Sequence, residues 1–357
     1  MRIHIFWTDI SGYMASCWRA MSQREGVDLR VATYDSSRAT AFSHSLMEGI
    51  DWTPLNEADR FDAPLLARQV TEFKPHVVIL SGWLNPAYRA LACHKQFRHI
   101  HFFMAMDTPW RGTLKQHCAP YLLRSYLSHF DVAMVTGERC WQFARRLGFA
   151  EPQIRRGVYG VDFTGLSRLY EQRLAAGAWP RQFLFAGRYA PEKGIDVLLD
   201  AYALYRSRVE VPWPLVCCGT GPLAKTLQGQ TGVVDRGFLQ PHEVQAEMVR
   251  SGAFILPSRY DPWPLAVVES SAAGLPVICS NACGSAVEVI RDAYSGFTFA
   301  TGDSGELCKT LLRVHHTPDL AAMGGRARDF AAPYSAEAWA TRWLSAANDI
   351  CGPNNLL

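Results

Sequence analysis

A pair of Rossmann-like α/β halves is the fold that three features of this sequence predict. Short apolar runs alternate with longer stretches of helical period, the pattern of βα units around parallel sheets. Each run of the first half ends in small or polar residues, as strands do when their carboxyl ends line a ligand crevice. A second series of runs begins after a polar break, and 357 residues leave each half enough chain for its own core.

The first series is Ile3–Trp7, Val77–Leu80, Ile100–Met106 and Val132–Val135, ending at Thr8-Asp9, Ser81-Gly82, Asp107-Thr108 and Thr136-Gly137. The second is Phe183–Ala186, Pro214–Cys218, Val233–Asp235, Phe254–Pro257 and Pro276–Cys279. Between them Arg168–Pro180, polar and bearing Ala and Gly, reads as the linker, so the expected domains are 1–167 and 168–334. A terminal helix is expected from Ser335, an N-cap residue type, with Ala338, Trp339 and Trp343 on adjoining turns. No repeat of solenoid period and no low-complexity segment interrupts this pattern.

Composition bounds the function classes. Apolar residues make up 48% and charged residues 19%, the balance of a soluble globular enzyme. The net charge is only +3, and the excess lies in the first half: residues 1–165 carry 19 Lys/Arg against 15 Asp/Glu, the remainder 17 against 18. That tilt suits an anionic acceptor or a membrane surface and equally a solvated face. The Arg145-Arg146 and Arg155-Arg156 pairs are scattered, which argues against nucleic acid as a partner.

The ten cysteines include no Cys-x-x-Cys pair. Cys217 and Cys218 read as small buried hydrophobes, and Cys279 and Cys283 lack a second ligand pair, so no metal site is expected. Such usage fits reduced thiols. The amino terminus runs straight into an apolar strand without a signal-peptide core, and no stretch approaches the ~18–20 apolar residues of a spanning helix. The expected compartment is therefore the cytoplasm.

One stretch leaves two readings open. Leu114–Phe130 mixes Lys115, His117, Arg124 and His129 with Tyr121, Leu122, Leu123, Tyr126 and Leu127. It could be a helix packed on the sheet, interrupted by Pro120, or a face lying on the inner surface of a membrane to meet a lipid-linked acceptor.

Three segments of the second half carry chemistry. Gly187-Arg188-Tyr-Ala-Pro-Glu-Lys193-Gly194 follows a strand and precedes a helical run. Gly187 permits a tight turn, Arg188 can fork onto phosphate oxygens, Lys193 adds a compact charge, and Gly194 stands where free helix amides favour anions. Gly219-Thr-Gly221-Pro222 is a strand-to-helix turn in which a backbone can come close to a ligand. Ser258-Arg-Tyr-Asp261-Pro262-Trp263-Pro264-Leu265-Ala266-Val-Val-Glu269 closes a strand and opens a helix. Pro264 suits the first helical position, the amides of Leu265 and Ala266 are then donors aimed at the crevice, and the carboxylates of Asp261 and Glu269 can accept from sugar and ribose hydroxyls.

Taken in order, these segments resemble the retaining glycosyltransferases of family 4, which have the GT-B fold of two Rossmann-like domains facing each other across a cleft. The resemblance runs over about residues 182–300 and includes Asp-Arg-Gly237-Phe238-Leu239, Ala-Ala-Gly274-Leu-Pro276, Gly284-(x3)-Glu288 and Ser295-Gly296-Phe. In the first half it is looser: Tyr159-Gly160-Val161-Asp162 resembles Asn-Gly-Val-Asp, and Ser11-Gly12 resembles a glycine loop that approaches the donor diphosphate or the acceptor.

The resemblance implies a nucleotide-diphospho-sugar donor, UDP- or GDP-linked, a glycan, lipid-linked or small-molecule acceptor, and no further cofactor. The first domain would bind the acceptor, with the terminal helix returning to it. Arg188 and Lys193 would hold the diphosphate, with Gly187, Gly219 and Gly221 nearby. Asp261 would contact sugar hydroxyls, Pro262–Ala266 the sugar and phosphate, Glu269 the ribose, and Phe238 and Leu239 the base. Three positions depart from the family: Asp261 stands for the usual Glu, Pro264 for the usual Gly, and Met106-Asp107 where a His is common. Asp107 is then either a hydrogen-bond acceptor for the incoming hydroxyl or a turn residue before Thr-Pro. Two rivals remain: another sugar-nucleotide enzyme on this scaffold, or a non-catalytic sugar-nucleotide or glycan-binding module.

Overall fold

The computed structural model describes residues 1–35 and 42–352. The chain forms two compact units, one of residues 1–160 with 336–357 and one of residues 161–335. The first is built on seven parallel strands: β1 (Arg2–Trp7), β2 (Asp28–Tyr34), β3 (Trp52–Leu55), β4 (Val77–Ser81), β5 (His101–Met106), β6 (Phe130–Val135) and β7 (Ile154–Arg156), in the order β3-β2-β1-β4-β5-β6-β7. The second has β8 (Phe183–Ala186), β9 (Leu215–Cys218), β10 (Val233–Asp235), β11 (Ala253–Leu256), β12 (Val277–Ser280) and β13 (Gly296–Phe299), in the order β10-β9-β8-β11-β12-β13.

Strand periodicity splits the first core in two. Ile3, Ile5, Val31, Ile79 and Phe103 share one face with Met14, Trp18, Trp339 and Trp343, while Phe6, Leu80, Phe102 and Met104 share the other with Leu66, Leu91 and Phe143. The helix Ala336–Cys351 thus completes the first unit: Trp339 Nε1 donates to the Val158 carbonyl at 2.7 Å and Trp343 Nε1 to that of Gly157 at 3.1 Å. His4 is buried between Phe6 and Phe73 with no hydrogen-bond partner among the described residues, and burial holds its pKa at about 3, so it stays neutral.

Four strands are additional to those expected from the sequence. Three of them, β3, β7 and β13, are short sheet edges, where a strand needs little apolar sequence and β3 tolerates Pro54. In β2 the apolar run is broken by Arg30, whose guanidinium covers the Phe73 ring at 4.6 Å and pairs with Asp51 at 3.2 Å.

The stretch read as a linker, Arg168–Pro180, requires correction. Most of it belongs to the helix Phe163–Ala175, which runs through the expected boundary at 167/168. Asp162 caps that helix by accepting from the Gly165 N–H at 2.9 Å. Leu166, Leu169 and Tyr170 make its buried face, and the Arg173 guanidinium is buried too, donating to the Met248 carbonyl at 2.9 Å and to that of Ala273. A buried arginine serving helix carbonyls has the composition of a linker and the role of a core residue.

Residues 114–130 form two short helices, Leu114–Leu122 with Pro120 near its end and Arg124–Leu127. Leu123, Tyr126, Leu127 and Phe130 pack in the core, while Leu114, Tyr121 and Leu122 are largely exposed. Among the described residues no helix is long and apolar enough to cross a membrane.

Candidate functional site

The order of the second sheet reverses between β8 and β11, which leaves a crevice at their carboxyl ends. Two of the expected segments leave the sheet there. After β8 the chain runs through Gly187 and Arg188 to a tight turn, Pro191–Lys193, and into the helix Ile195–Arg206. Gly194 joins them at φ 68°, and a Cβ there would strike the Pro257 carbonyl oxygen. The β8 segment is thereby pressed onto the chain leaving β11.

Lys193 Nζ lies 2.5 Å from Asp261 Oδ2, and the Asp261 side chain is buried. Arg188, at the surface, pairs with Glu192. Arg259 was not singled out by sequence reasoning, yet it clamps this region. Its guanidinium forks onto both Asp196 oxygens at 2.6 Å and reaches the Pro191 carbonyl at 3.1 Å, and its N–H donates to the Glu192 carbonyl at 2.7 Å. Those guanidinium bonds hold the Asp196 carboxyl below its ordinary pKa. A lone arginine beside Ser258 gives no sequence signal; only the fold brings Asp196 to it.

The turn Gly219-Thr-Gly221 after β9 packs on the Gly187–Tyr189 backbone. Gly187 N–H donates to the Cys218 carbonyl at 3.0 Å, Tyr189 N–H to that of Thr220 at 2.8 Å, and Leu223 N–H to that of Tyr189 at 2.9 Å. A Cβ on Gly219 would strike the Gly187 carbonyl, and one on Gly221 would stand 2.5 Å from the Tyr189 oxygen. What these missing side chains admit is therefore another loop. The third loop is tied in through Asp235 Oδ1, which accepts from Tyr189 OH at 2.7 Å and Gly237 N–H at 2.8 Å. Phe238 and Leu239 follow it, half-buried.

Pro264 stands one position earlier than expected: it is the N-cap of the helix Leu265–Ala272, with ψ 110°. Its carbonyl accepts from Val267 N–H at 3.2 Å and Ser285 OH at 3.0 Å. The amides of Leu265 and Ala266 open the helix, where no preceding carbonyl can serve them. Trp263 is buried against the Tyr334 ring, centroids 5.9 Å apart. Glu269 lies on the second turn, half-buried, and its carboxyl has no hydrogen-bond or ion-pair partner among the described residues. Burial raises its pKa to about 7.

Gly12 and Asp107 belong to the first unit. Gly12 opens the helix Gly12–Ser22. The next residue, Tyr13, meets Tyr159 edge-on at 5.8 Å, and Tyr159 OH donates to Asp107 Oδ2 at 3.0 Å. Burial and the Asp107 charge hold the Tyr159 phenol well above its ordinary pKa, so it remains a donor. Asp107 borders a cavity of about 420 Å³ at the carboxyl ends of β1, β4 and β5, where the first sheet reverses its order. Sequence reasoning missed this cavity because its lining comes from separated loops.

Residues 170–329 match the model of the family described as glycosyl transferases, group 1. The match falls within the second unit, which carries the loops just described. D-inositol 3-phosphate glycosyltransferase of Streptomyces scabiei is 33% identical over 187 residues, covering 46% of this chain and 42% of the relative. Glycogen synthase of Mycobacterium tuberculosis is 30% identical over 155 residues, 42% of this chain and 37% of the relative. The chain thus spans less than half the length of these curated relatives. A crystal structure of Anabaena HepE in complex with UDP and glucose superposes with a TM-score of 0.74 at 17% identity, covering 97% of this chain and all of that one. The two parallel-sheet units are those of the GT-B fold.

Proposed function

We propose that this protein is a retaining, metal-independent glycosyltransferase of family 4 that moves a sugar from a UDP- or GDP-sugar to an acceptor hydroxyl. The observation that carries this reading is the meeting, at the β8/β11 reversal, of Lys193, Asp261 and the amino-terminal end of the helix Leu265–Ala272. A diphosphate is the ligand such a place suits: a compact cation and unserved amides answer its charge. Resemblance to glycosyl transferases, group 1, in the matched region, and to a fold seen with UDP and glucose, supports the same donor class.

In the proposed transfer the bond between the sugar anomeric carbon and the diphosphate oxygen breaks, and its electron pair leaves on the diphosphate. The acceptor oxygen bonds to the same face of that carbon, and its proton passes to the departing phosphate oxygen. Lys193 and Arg188 stabilise the growing negative charge, which is where most of the rate enhancement would arise. Asp261 orients the sugar, Glu269 accepts from the ribose diol, and Phe238 and Leu239 border the base. Asp107, joined to Tyr159, would accept from the acceptor hydroxyl. No carboxylate is assigned as a nucleophile, so no glycosyl-enzyme forms.

The test is release of nucleotide from a panel of UDP- and GDP-sugars, followed by chromatography in the presence of EDTA. Slow release by the wild-type chain, lost in Lys193→Ala, is the expected result. Absence of both nucleotide binding and release across the panel would overturn the reading.

A further inference from the structure

We infer that the cavity of the first unit receives an uncharged saccharide ring as the acceptor, and that phosphorylated acceptors are excluded from it. The inference rests on the glycosyltransferase reading and adds the chemical class of its second substrate. At about 420 Å³ the cavity falls within the range of small-molecule sites, about 300–1,000 Å³, with room for roughly one or two sugar rings.

The lining chooses among ligands. Six aromatic side chains border the space: Trp7, Tyr34, Phe61, Trp83, Tyr88 and Tyr159. Flat aromatic walls interleaved with neutral hydroxyl and amide groups, such as those of Thr8, Ser81, Asn85 and Thr108, suit a molecule with a C–H face and hydroxyls at its edge. The edge has a partner in Asp107, a carboxylate that accepts hydroxyl hydrogens and repels phosphate. Its position is fixed by Tyr159, at 3.0 Å.

The positive charge that a phosphate would need is engaged elsewhere. Among the described lining residues the cation is Arg60. Its guanidinium lies over the Tyr34 ring at 4.2 Å and the Phe61 ring at 4.6 Å, and Glu57 stands 3.8 Å away. It therefore acts as part of the aromatic wall. The nearby helix Pro86–Ala92 has its first turn closed by its own cap, since Asn85 Oδ1 accepts from Ala87 N–H at 2.8 Å. Asn85 Nδ2 in turn holds the Arg60 carbonyl at 2.8 Å. Charge within the described lining balances at one arginine and one aspartate, whereas a phosphate site needs an excess of donors and positive charge.

The experiment is titration of the full chain, by tryptophan fluorescence and calorimetry, with maltose, cellobiose, lactose and mannobiose, and in parallel with glucose 6-phosphate and inositol 1-phosphate. At least one neutral disaccharide should bind, and bind at least tenfold more tightly than either phosphate ester. Trp83→Ala and Asp107→Asn should each weaken that binding tenfold or more while leaving UDP affinity within twofold. Phe61→Ala, at a half-exposed position, gives the same readout if Trp83→Ala does not fold. Tighter binding of a phosphate ester, lost in Arg60→Gln, would overturn the inference, as would failure of all four disaccharides to bind. Saccharide binding with neither nucleotide binding nor release would leave the cavity's preference for a neutral saccharide standing and sink the glycosyltransferase reading, and with it the ligand's role as acceptor.

Discussion

The Lys193 ammonium and the Asp261 carboxylate stand 2.5 Å apart, so the cation assigned to the diphosphate is neutralised before any donor arrives. A loop from β8 and a loop from β11 are thereby joined through one ion pair. Asp261, one methylene shorter than glutamate, is proposed both to contact the sugar and to hold back Lys193, with which it pairs. The two roles separate by substitution. Lys193→Ala should lower turnover by roughly 10²–10³-fold, the usual scale for losing a charge-stabilising donor. A drop of only a few-fold with donor binding intact would sink the assignment. Asp261→Asn should tighten UDP by freeing the ammonium and lower sugar transfer at least tenfold, read by calorimetry and steady-state rates.

Arg259 holds the turn that carries Lys193 through a two-pronged contact with Asp196. Both groups are substantially exposed, so the pair should add less than about 1 kcal/mol to global stability. Its effect should fall on the position of Lys193. Arg259→Ala is expected to cut kcat/KM about tenfold with little change in melting temperature, and Arg259→Lys should not restore it, because a single ammonium cannot reproduce the fork. Equal activity of the lysine variant would refute the clamp.

Glu269 gives a pH signature. Its pKa rises on folding to about 7, so the folded protein binds the extra proton, and stability falls as pH climbs from the ordinary carboxylate range through about 7. Glu269→Gln should therefore melt a few degrees higher than wild type at pH 8 and level with it near pH 4.5. Nucleotide affinity should run the other way: wild type tightens for UDP as pH passes about 7, because the ionised carboxylate is the better acceptor for two ribose hydroxyls. The glutamine variant should be flat. A pH-independent wild-type Kd would remove Glu269 from the ribose.

Gly194 combines a positive φ with contact against the Pro257 carbonyl. Gly194→Ala should cost at least about 1–2 kcal/mol in unfolding free energy from the left-handed backbone alone, more with the collision. Denaturant titration measures it. Full stability in that variant would show that the β8 turn does not rest on β11.

Transfer should survive chelation. Among the described residues no group of three or more His, Cys, Asp or Glu is placed to hold a metal ion, and the proposed charge stabilisation comes from side chains and helix amides. Rates measured in EDTA and in added Mg²⁺ should agree within about twofold; complete loss in EDTA would overturn the metal-independent assignment.

Legibility differed between the units for physical reasons. Buried central strands such as Phe183–Ala186 and Val77–Ser81 announce themselves as apolar runs, whereas edges such as β3 and β7 do not, since half of an edge faces water. In the second unit the glycines and charges fall within short, ordered segments, and local sequence carries them. The Arg259–Asp196 fork joins residues 63 positions apart, and the aromatic cavity gathers Trp7, Tyr34 and Tyr159 from distant loops, so neither leaves a local trace. Gly219 and Gly221 were recognisable as glycines that need room; which neighbour takes that room required coordinates.

In sequence the second unit, residues 161–335, interrupts the first. Its two ends meet: Val161 and Ser335 form a parallel bridge, and Val161 N–H donates to the Tyr334 carbonyl at 2.8 Å. A guest whose entry and exit are neighbours can be excised as one continuous gene segment, or exchanged for another with the same spacing, without threading the host chain through a new path. The host, by contrast, is split in sequence, so a truncation that removes Trp339 and Trp343 strips its core although it deletes only the tail. The two units can then evolve as separate cassettes on one chain.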